Sequence, residues 1–207
     1  MTAPGQTVAV SAFIDPMIAD LGMSRSAVSA AYLAGTLVGA LALPTIGRII
    51  DRHGVRRCMV AIGAVFGSVL VALSLASGIV GLTAGFVGIR LAGQGALGLA
   101  ATTVTAHWFY RRRGAAMAVV SASGAAGISL APIALERLIA QSDWRIGWLV
   151  AGLVVWAVVV PIAVFGIRDR PADIGQHVDG DPGGADSAGP AVELSLDPPT
   201  RLPLNVG

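Results

Sequence analysis

The sequence predicts an all-α, polytopic membrane protein, a six-helix bundle made of two inverted three-helix repeats with a truncated first helix. The first observation behind this prediction is composition: 55% of the 207 residues are hydrophobic and 13% are charged, about half the charged fraction of soluble domains. So few ionic groups cannot cover a water-facing surface, which excludes a soluble globular domain. The second observation is that the charges separate long apolar runs, and the third is an internal repeat along the chain.

Five apolar runs are each long enough to cross a bilayer, which takes about 20 mostly apolar residues. The run without charges from 58 to 89 is too long for one span, and the small residues Ser77, Gly78 and Gly81 divide it into two. The second of these two contains Arg90. The five predicted spans lie near residues 27–48, 58–77, 81–107, 114–136 and 145–167.

A sixth helix is predicted before them, near residues 4–20. Its apolar stretch from Val8 to Leu21 is short, and Asp15 and Pro16 interrupt it. It has neither a basic leading region nor a small-residue cleavage site, which argues against a signal peptide. We interpret it as the outer part of a first helix whose beginning is missing, as in a truncated product or a fragment.

The last forty residues differ in composition from the rest. Residues 168–207 hold six of the eleven prolines and seven acidic residues against three arginines. Such a segment cannot bury an apolar core, so we predict a disordered cytoplasmic linker or tail.

Arginine counts in the loops predict the orientation, because cytoplasmic loops carry the excess of positive charge. One set of loops holds nine arginines and the alternate set holds three, namely Arg25, Arg137 and Arg145. The nine-arginine side is therefore predicted to be cytoplasmic, with both termini on that side of a plasma or inner membrane. The basic residues end apolar runs rather than forming a patch, so no nucleic-acid partner is expected. Cys58 is the only cysteine, and no metal or cofactor is predicted.

The internal repeat is found when the sequence is aligned with itself at an offset of 88 residues. It aligns residues of the second and fifth helices and of the loops that follow them: Gly39 with Gly127, Pro44 with Pro132, and Arg57 with Arg145. A repeat of three helices has an odd number of crossings, so its second copy is inverted in the membrane. Inverted repeats are typical of secondary transporters.

The loop after the second helix is predicted to be a conformational switch. Gly47 allows a close helix approach, and Asp51 can accept hydrogen bonds from a neighbouring helix N-terminus or an arginine, forming a latch. Gly54 permits a turn with positive φ. Three arginines complete the motif and can hold it at the anionic inner leaflet: Arg52, Arg56 and Arg57. The alternative is a basic loop that only sets topology, which would not require Asp51 or the glycines.

The fourth helix carries a charge close to the middle of the bilayer. Arg90 costs at least about 2.5–3.5 kcal/mol there, so it should face the bundle interior or a wet cavity. Gln94 lies one turn along on the same face. Together with Tyr32 and Ser123, they are the predicted substrate or coupling residues for an anion. The alternatives are that Arg90 ties helices together through backbone carbonyls and that Tyr32 packs in the core.

The fifth helix contains Gly124, Gly127 and Pro132. These residues predict either a pliable, pore-lining helix or plain close packing of helices.

The loop motif and the glycine-rich run after Arg90 resemble two signatures of the major facilitator superfamily. The fifth helix and the segment Arg168–Gly175 are similar to the corresponding parts of that family. The first helix, and Asp143 with Trp144 and Arg145, look like its monocarboxylate and oxalate/formate antiporter-like branch. The resemblance covers about residues 1–175.

The family has twelve helices in two halves, so the chain resembles the N-terminal half alone. This resemblance implies a secondary active transporter that moves a small solute by alternating access, as symport or antiport. Arg90 favours an organic anion such as a monocarboxylate. Expected partners are the solute, the bilayer, and a second six-helix half or a homodimer.

Two alternatives stay open: a non-transporting fragment or membrane subunit that requires a second half, and drug or metabolite efflux. An enzyme is not expected, because no histidine lies inside a helix to serve as a base for Ser123.

Overall fold

A computed structural model describes residues 7–180, which form six helices and two short 3-10 turns without any strand. The all-helical class predicted from the sequence is confirmed, and five of the helices are long and apolar enough to cross a membrane. The helices are α1 (Thr7–Leu21), α2 (Arg25–His53), α3 (Val55–Ser74), α4 (Ile79–Trp108), α5 (Arg113–Gln141) and α6 (Trp144–Gly166). The turns are Pro171–Ile174 and Val178–Gly180.

Polar N-caps and one glycine, rather than the limits of the apolar runs, set these helix boundaries. Ser24 caps α2 by accepting from the backbone N–H of Ala27 at 3.2 Å, and Asp143 caps α6. Gly54, with φ of 85°, separates α2 from α3. The helix α2 therefore runs through Asp51 to His53, beyond its predicted end at residue 48.

The short helix α1 packs into the bundle. It has 15 residues and contains Pro16. Phe13 and Met17 are fully buried, and the Phe13 ring stacks on the indole of Trp148 in α6 with centroids 3.8 Å apart. Its apolar face therefore belongs to the main core.

The antiparallel pair α3 and α6 forms the centre of the bundle. Their backbones approach closely at glycines: a Cβ on Gly67 would overlap the indole of Trp156, and one on Gly152 would lie 2.8 Å from Val71. The Trp156 indole N–H donates to the carbonyl of Ala64 at 2.9 Å. Small residues allow this contact, as they do between membrane helices generally.

The two ends of the bundle differ in charge. We name as the arginine-rich end the one that holds the α2–α3 turn at Gly54, the loop 109–112 and the residues after Gly166. At this end, Arg56 of α3 donates to the Val164 carbonyl of α6.

At the opposite end, Arg145 of α6 donates to the Ala76 carbonyl just after α3 at 3.2 Å. Each helix of the central pair therefore carries in its first turn an arginine that binds a carbonyl at the end of its partner.

The helices α2 and α4 also touch through glycines. A Cβ on Gly35 would lie 2.8 Å from the Phe86 backbone, and one on Gly39 would lie 3.3 Å from the Arg90 Cβ. In contrast, α5 lies at the periphery, and only Pro132 and Leu135 along it are buried.

The segment predicted to be disordered divides into two parts. Residues 168–180 are described, form the two turns, and bury Pro171 against the bundle. This part is not the free chain that its composition predicts, because its carboxylates bind helix ends. The remainder, 181–207, lies outside the described residues, as do residues 1–6.

Candidate functional site

The helix α4 is irregular at Arg90. From Ile89 to Ala96 it adopts the wider π-helical hydrogen-bonding pattern, which often marks functional sites. Arg90 lies about 16 Å along the helix axis from Ile79, estimated from the α-helical rise per residue. The charge is therefore well inside a membrane-spanning segment.

Three of the predicted substrate residues form one cluster. The Nη1 of Arg90 donates to the Tyr32 hydroxyl at 3.1 Å and also to Oε1 of Gln94. The guanidinium carbon lies 5.2 Å from the centroid of the Tyr32 ring, within the range of a cation–π contact. The Tyr32 ring in turn meets Phe86 edge-on at 5.6 Å. The cluster therefore joins α2 to α4 and orients a half-buried guanidinium.

Ser123 makes a different contact from the other three. Its hydroxyl donates to the Val119 carbonyl at 2.8 Å, within α5, and the residue is exposed. Near it, a Cβ on Gly124 would meet no atom within 4 Å, so close packing does not explain that glycine in the described residues. Gly127 is half-buried and Pro132 is buried.

Gln94 lines an open groove of about 640 Å³. Apart from the Gln94 amide and one threonine hydroxyl, its walls are apolar or glycine. The lining residues come from α2 and α4: Leu43, Pro44, Gly47, Gln94, Gly95, Gly98, Leu99 and Thr102. The polar amide of Gln94 thus adjoins an otherwise mainly apolar groove.

The predicted switch loop lies at the arginine-rich end, and Asp169 binds its turn. The carboxylate of Asp169 accepts from the Arg56 backbone N–H at 2.8 Å. A Cβ on Gly54 would lie 2.9 Å from Asp169 Oδ2, so the glycine makes room for this carboxylate. The Arg56 side chain donates to the Val164 carbonyl through Nε at 3.1 Å and Nη2 at 2.6 Å.

Asp51, the predicted latch residue, does not take part in this contact. Asp51 is exposed and, within residues 7–180, makes no hydrogen bond or ion pair. Asp169 occupies the N-terminus of α3, because the chain after α6 returns directly over Gly54, and the latch proposed for Asp51 stays a prediction. Gly47 is in ordinary contact, with a Cβ there 3.7 Å from Leu99, so no close approach depends on it.

The same end carries an open depression of about 760 Å³ with charges of both signs. Arg52 and Arg57 are exposed there. The full lining is Asp51, Arg52, His53, Gly54, Arg56, Arg57, Val60, Val164, Asp169, Arg170 and Asp173.

The family model of the Major Facilitator Superfamily matches residues 1–200. The chain belongs to the major facilitator superfamily. The superfamily predicted from the sequence is thus confirmed, and this member of it is a multi-pass membrane protein.

Two relatives share the superfamily. The chain is 37% identical over 100 residues to the MFS-type transporter hasB of Aspergillus fumigatus (strain CBS 144.89 / FGSC A1163 / CEA10), over 47% of this chain and 22% of that protein. It is 28% identical over 166 residues to the uncharacterized MFS-type transporter YcxA of Bacillus subtilis (strain 168), over 77% of this chain and 39% of that protein. This superfamily member therefore spans well under half the length of the relatives it matches.

A second carboxylate at the arginine-rich end of this superfamily member was not predicted. Asp179 accepts from the backbone N–H groups of Tyr110 at 3.1 Å, Arg111 at 2.7 Å and Arg112 at 3.2 Å. These bonds, that of Arg111 first, together with the Arg112 charge, lower the pKa of Asp179 below its usual range. The Asp179-Gly180 pair signals a turn, but nothing in the sequence signals its distant partner.

The opposite end contains a further unpredicted cluster. Asp20 of α1 accepts from the Trp144 indole N–H at 3.2 Å and pairs with Arg145 at 3.0 Å. The Arg145 guanidinium carbon lies 4.3 Å above the Trp144 ring. Because Arg145 also binds the Ala76 carbonyl, this cluster joins α1, α3 and α6.

Proposed function

We propose that this chain is the N-terminal six-helix half of a secondary active transporter that moves a small organic anion, such as a monocarboxylate, by alternating access. The observation that carries the proposal is the cluster of Arg90, Gln94 and Tyr32 inside membrane-spanning helices. Energy comes from an ion or solute gradient, through symport or antiport. Membership of the superfamily and the names of both relatives support transport rather than enzymatic catalysis.

The chemistry of Arg90 favours an anionic substrate. A guanidinium is a planar fork that matches a carboxylate with two parallel hydrogen bonds. Its neighbours Gln94 and Tyr32 are neutral, so they orient the group without cancelling its charge. A charge within the membrane costs at least about 2.5–3.5 kcal/mol, and a bound anion offsets part of that cost.

The groove beside Gln94 supports a substrate with an apolar part. Its walls are mainly leucine and glycine, and its volume of about 640 Å³ exceeds that of a small organic acid. A carboxylate at Arg90 would leave the hydrocarbon part of the molecule facing these walls. The likeness of the N-terminal segment to the monocarboxylate branch supports the same substrate class.

A second half is part of the proposal. Along α5, large apolar side chains such as Val119 and Leu130 are each 66% exposed, and the chain covers 39% of the YcxA protein. Some of this surface faces lipid, and some contacts a second six-helix half or a second copy. Rocking of one bundle against the other then opens the site alternately to each side.

The orientation proposed here puts the arginine-rich end in the cytoplasm of a cell bounded by its plasma or inner membrane. Nine loop arginines lie on this side against three on the other, and such an excess marks cytoplasmic loops. Both chain termini are then cytoplasmic.

Replacing Arg90 tests the substrate proposal. Arg90→Lys keeps the charge but loses the fork, so binding of monocarboxylates should weaken about tenfold to a hundredfold, as one charged hydrogen bond contributes about 1.5–3 kcal/mol. The measurements are ligand-induced thermal shifts of the purified chain and uptake of labelled monocarboxylates by intact cells. Arg137→Lys, at an exposed position of α5, is the matched control and should behave as wild type.

The outcomes separate the candidate functions. Binding with uptake supports a transporting assembly, whereas binding without uptake supports a membrane subunit that needs a second half, which the partial coverage of both relatives favours. Normal binding by Arg90→Lys would remove Arg90 from the site. The efflux alternative predicts that cells carrying the protein accumulate less of a cationic or neutral drug, while the purified chain binds no carboxylate. That result would contradict the anion proposal.

A further inference from the structure

Thirteen residues, which begin one residue after α6, cross the arginine-rich end of the bundle. We name residues 168–180 the strap. It begins at the end of α6, passes the start of α3 and the end of α4, and reaches the loop between α4 and α5. It therefore touches both three-helix units, α1–α3 and α4–α6.

The first anchor of the strap is Asp169. Its carboxylate accepts from the Arg56 backbone N–H at 2.8 Å and fills the space over Gly54. Beside it, the Trp108 indole N–H donates to the Arg168 carbonyl at 3.1 Å. The start of the strap thus joins the N-terminus of α3 to the C-terminus of α4.

The second anchor is Asp179, at the other end of the strap. Its two carboxylate oxygens accept three consecutive backbone N–H groups, at distances of 2.7–3.2 Å, from the loop that precedes α5. Asp179 itself has a φ of 62°, which aspartate tolerates better than most residues. Between the anchors, Asp173 accepts from the Arg170 backbone N–H at 3.0 Å and shapes the first turn.

Few apolar contacts support the strap. Pro171 is buried, but Ile174 and Val178 are 47% and 43% exposed. Segments with few buried apolar contacts open at a low free-energy cost, before the global unfolding of the protein. The carboxylate anchors therefore supply most of its attachment.

We propose that the strap is a releasable clamp that holds the two three-helix units together at the arginine-rich end, with Asp169 and Asp179 as its anchors. Loss of the Asp179 anchor detaches the strap and loosens the start of α3, although Asp179 does not touch that helix. The inference goes beyond the proposed transport, because it concerns the resting bundle and needs no substrate.

The only cysteine of the chain is a natural reporter of this clamp. Cys58 lies in the first turns of α3, one turn after Gly54, and is 7% exposed. Its thiol sulfur lies 3.6 Å from the Ile49 carbonyl oxygen. Because this thiol is buried, we expect a small maleimide to react with it faster when the α2–α3 turn opens.

The decisive variant is Asp179→Gly in the full chain, purified in detergent. Glycine adopts the positive φ of this position without strain, so the change removes the carboxylate and little else. Cys58 should react with N-ethylmaleimide several-fold faster than in wild type, and trypsin should cleave faster after Arg111 and Arg112. Glu136→Gln, which removes an exposed acid from α5, should change neither rate.

A second reporter distinguishes local release from general loosening. Ser74 lies at the other end of α3 and is also 7% exposed. In a Cys58→Ala, Ser74→Cys background, Asp179→Gly should leave the labelling rate unchanged, because the clamp acts at the arginine-rich end alone. Equal acceleration at both positions would overturn the proposal.

The remaining outcomes also decide the matter. Faster cleavage after Arg111 with unchanged Cys58 labelling would show two independent anchors and refute a clamp. If Asp179→Gly is not monodisperse, Asp179→Asn, which keeps one acceptor oxygen and the tolerance of positive φ, takes its place. Wild-type labelling in that variant would overturn the proposal, and intermediate acceleration would support it.

Discussion

Arg90 shows how a charged residue is accommodated inside an apolar helix. Its guanidinium donates to an amide oxygen on its own helix and to a hydroxyl on α2, and it lies near the Tyr32 ring. Neutral partners of this kind stabilise the charge without removing it. The substrate proposal rests on this guanidinium because its planar fork matches a carboxylate.

Asp179 predicts a pH dependence of stability. Hydrogen bonds from the Arg111, Arg112 and Tyr110 backbone N–H groups lower its pKa in the folded protein, so the unfolded chain binds the proton more tightly. Its contribution to stability is therefore fully present above the ordinary aspartate pKa of about 4 and is lost as the pH falls through the lowered value. The measurement is the midpoint of thermal unfolding of wild type and Asp179→Asn as a function of pH.

The expected result is a difference between the two midpoints that is constant at neutral pH and disappears in acid, where wild type also lacks the charge. If the difference in midpoint is the same at every pH at which both proteins fold, the ionised Asp179 carboxylate does not stabilise the protein through these hydrogen bonds.

At the scale of the elements, glycine contacts bring α2 and α4 together and thereby position Arg90. Gly35 and Gly39 lie one turn apart and face Phe86 and Arg90 across the interface. The backbone of Phe86 cannot move like the end of a side chain, so a methyl group at Gly35 would push the helices apart.

Gly35→Ala should therefore destabilise the bundle by about 1–3 kcal/mol, the usual range for overpacking. Gly124→Ala is the matched control, because its Cβ would meet no atom within 4 Å. That variant should be neutral or stabilise by up to about 1 kcal/mol, since alanine is the better helix former. Thermal unfolding in detergent measures both, and equal effects would show that the α2–α4 contact is not tight.

At the scale of the whole molecule, the central pair of helices is held at both ends by the same kind of contact, an arginine side chain that donates to a backbone carbonyl. Arg56 donates to the Val164 carbonyl at one end, and Arg145 donates to the Ala76 carbonyl at the other. Each arginine lies in the first turn of one helix and binds the end of its antiparallel partner. This relation is the one expected of two three-helix units in opposite orientations. The 88-residue offset aligns Arg145 with Arg57, whereas the arginine that makes the corresponding contact is its neighbour Arg56.

These two contacts predict that replacing both arginines destabilises the protein additively. Arg56→Ala and Arg145→Ala should each lower the free energy of unfolding by about 1–3 kcal/mol, through loss of charged hydrogen bonds. Because the two sites lie at opposite ends of the bundle, the double variant should equal the sum within about 0.5 kcal/mol. Arg137→Ala, an exposed arginine, is the control and should stay within about 0.5 kcal/mol of wild type. A double variant no worse than either single one would contradict independent ends.

The sequence by itself determined the helical class, the crossing segments and the local pair of Arg90 with Gln94. These properties follow from hydropathy, from bilayer thickness and from the spacing of one helical turn, all of which act over a few residues. The superfamily could be predicted for the same reason, because its signatures are continuous stretches of chain.

Only the tertiary structure decided which distant groups meet. Two carboxylates, Asp51 and Asp169, were available to the turn at Gly54, and the return of the chain after α6 selects Asp169. Likewise, Asp179 lies at least 67 residues from the N–H groups it binds. Such contacts depend on how whole helices pack, and no local spacing encodes that packing.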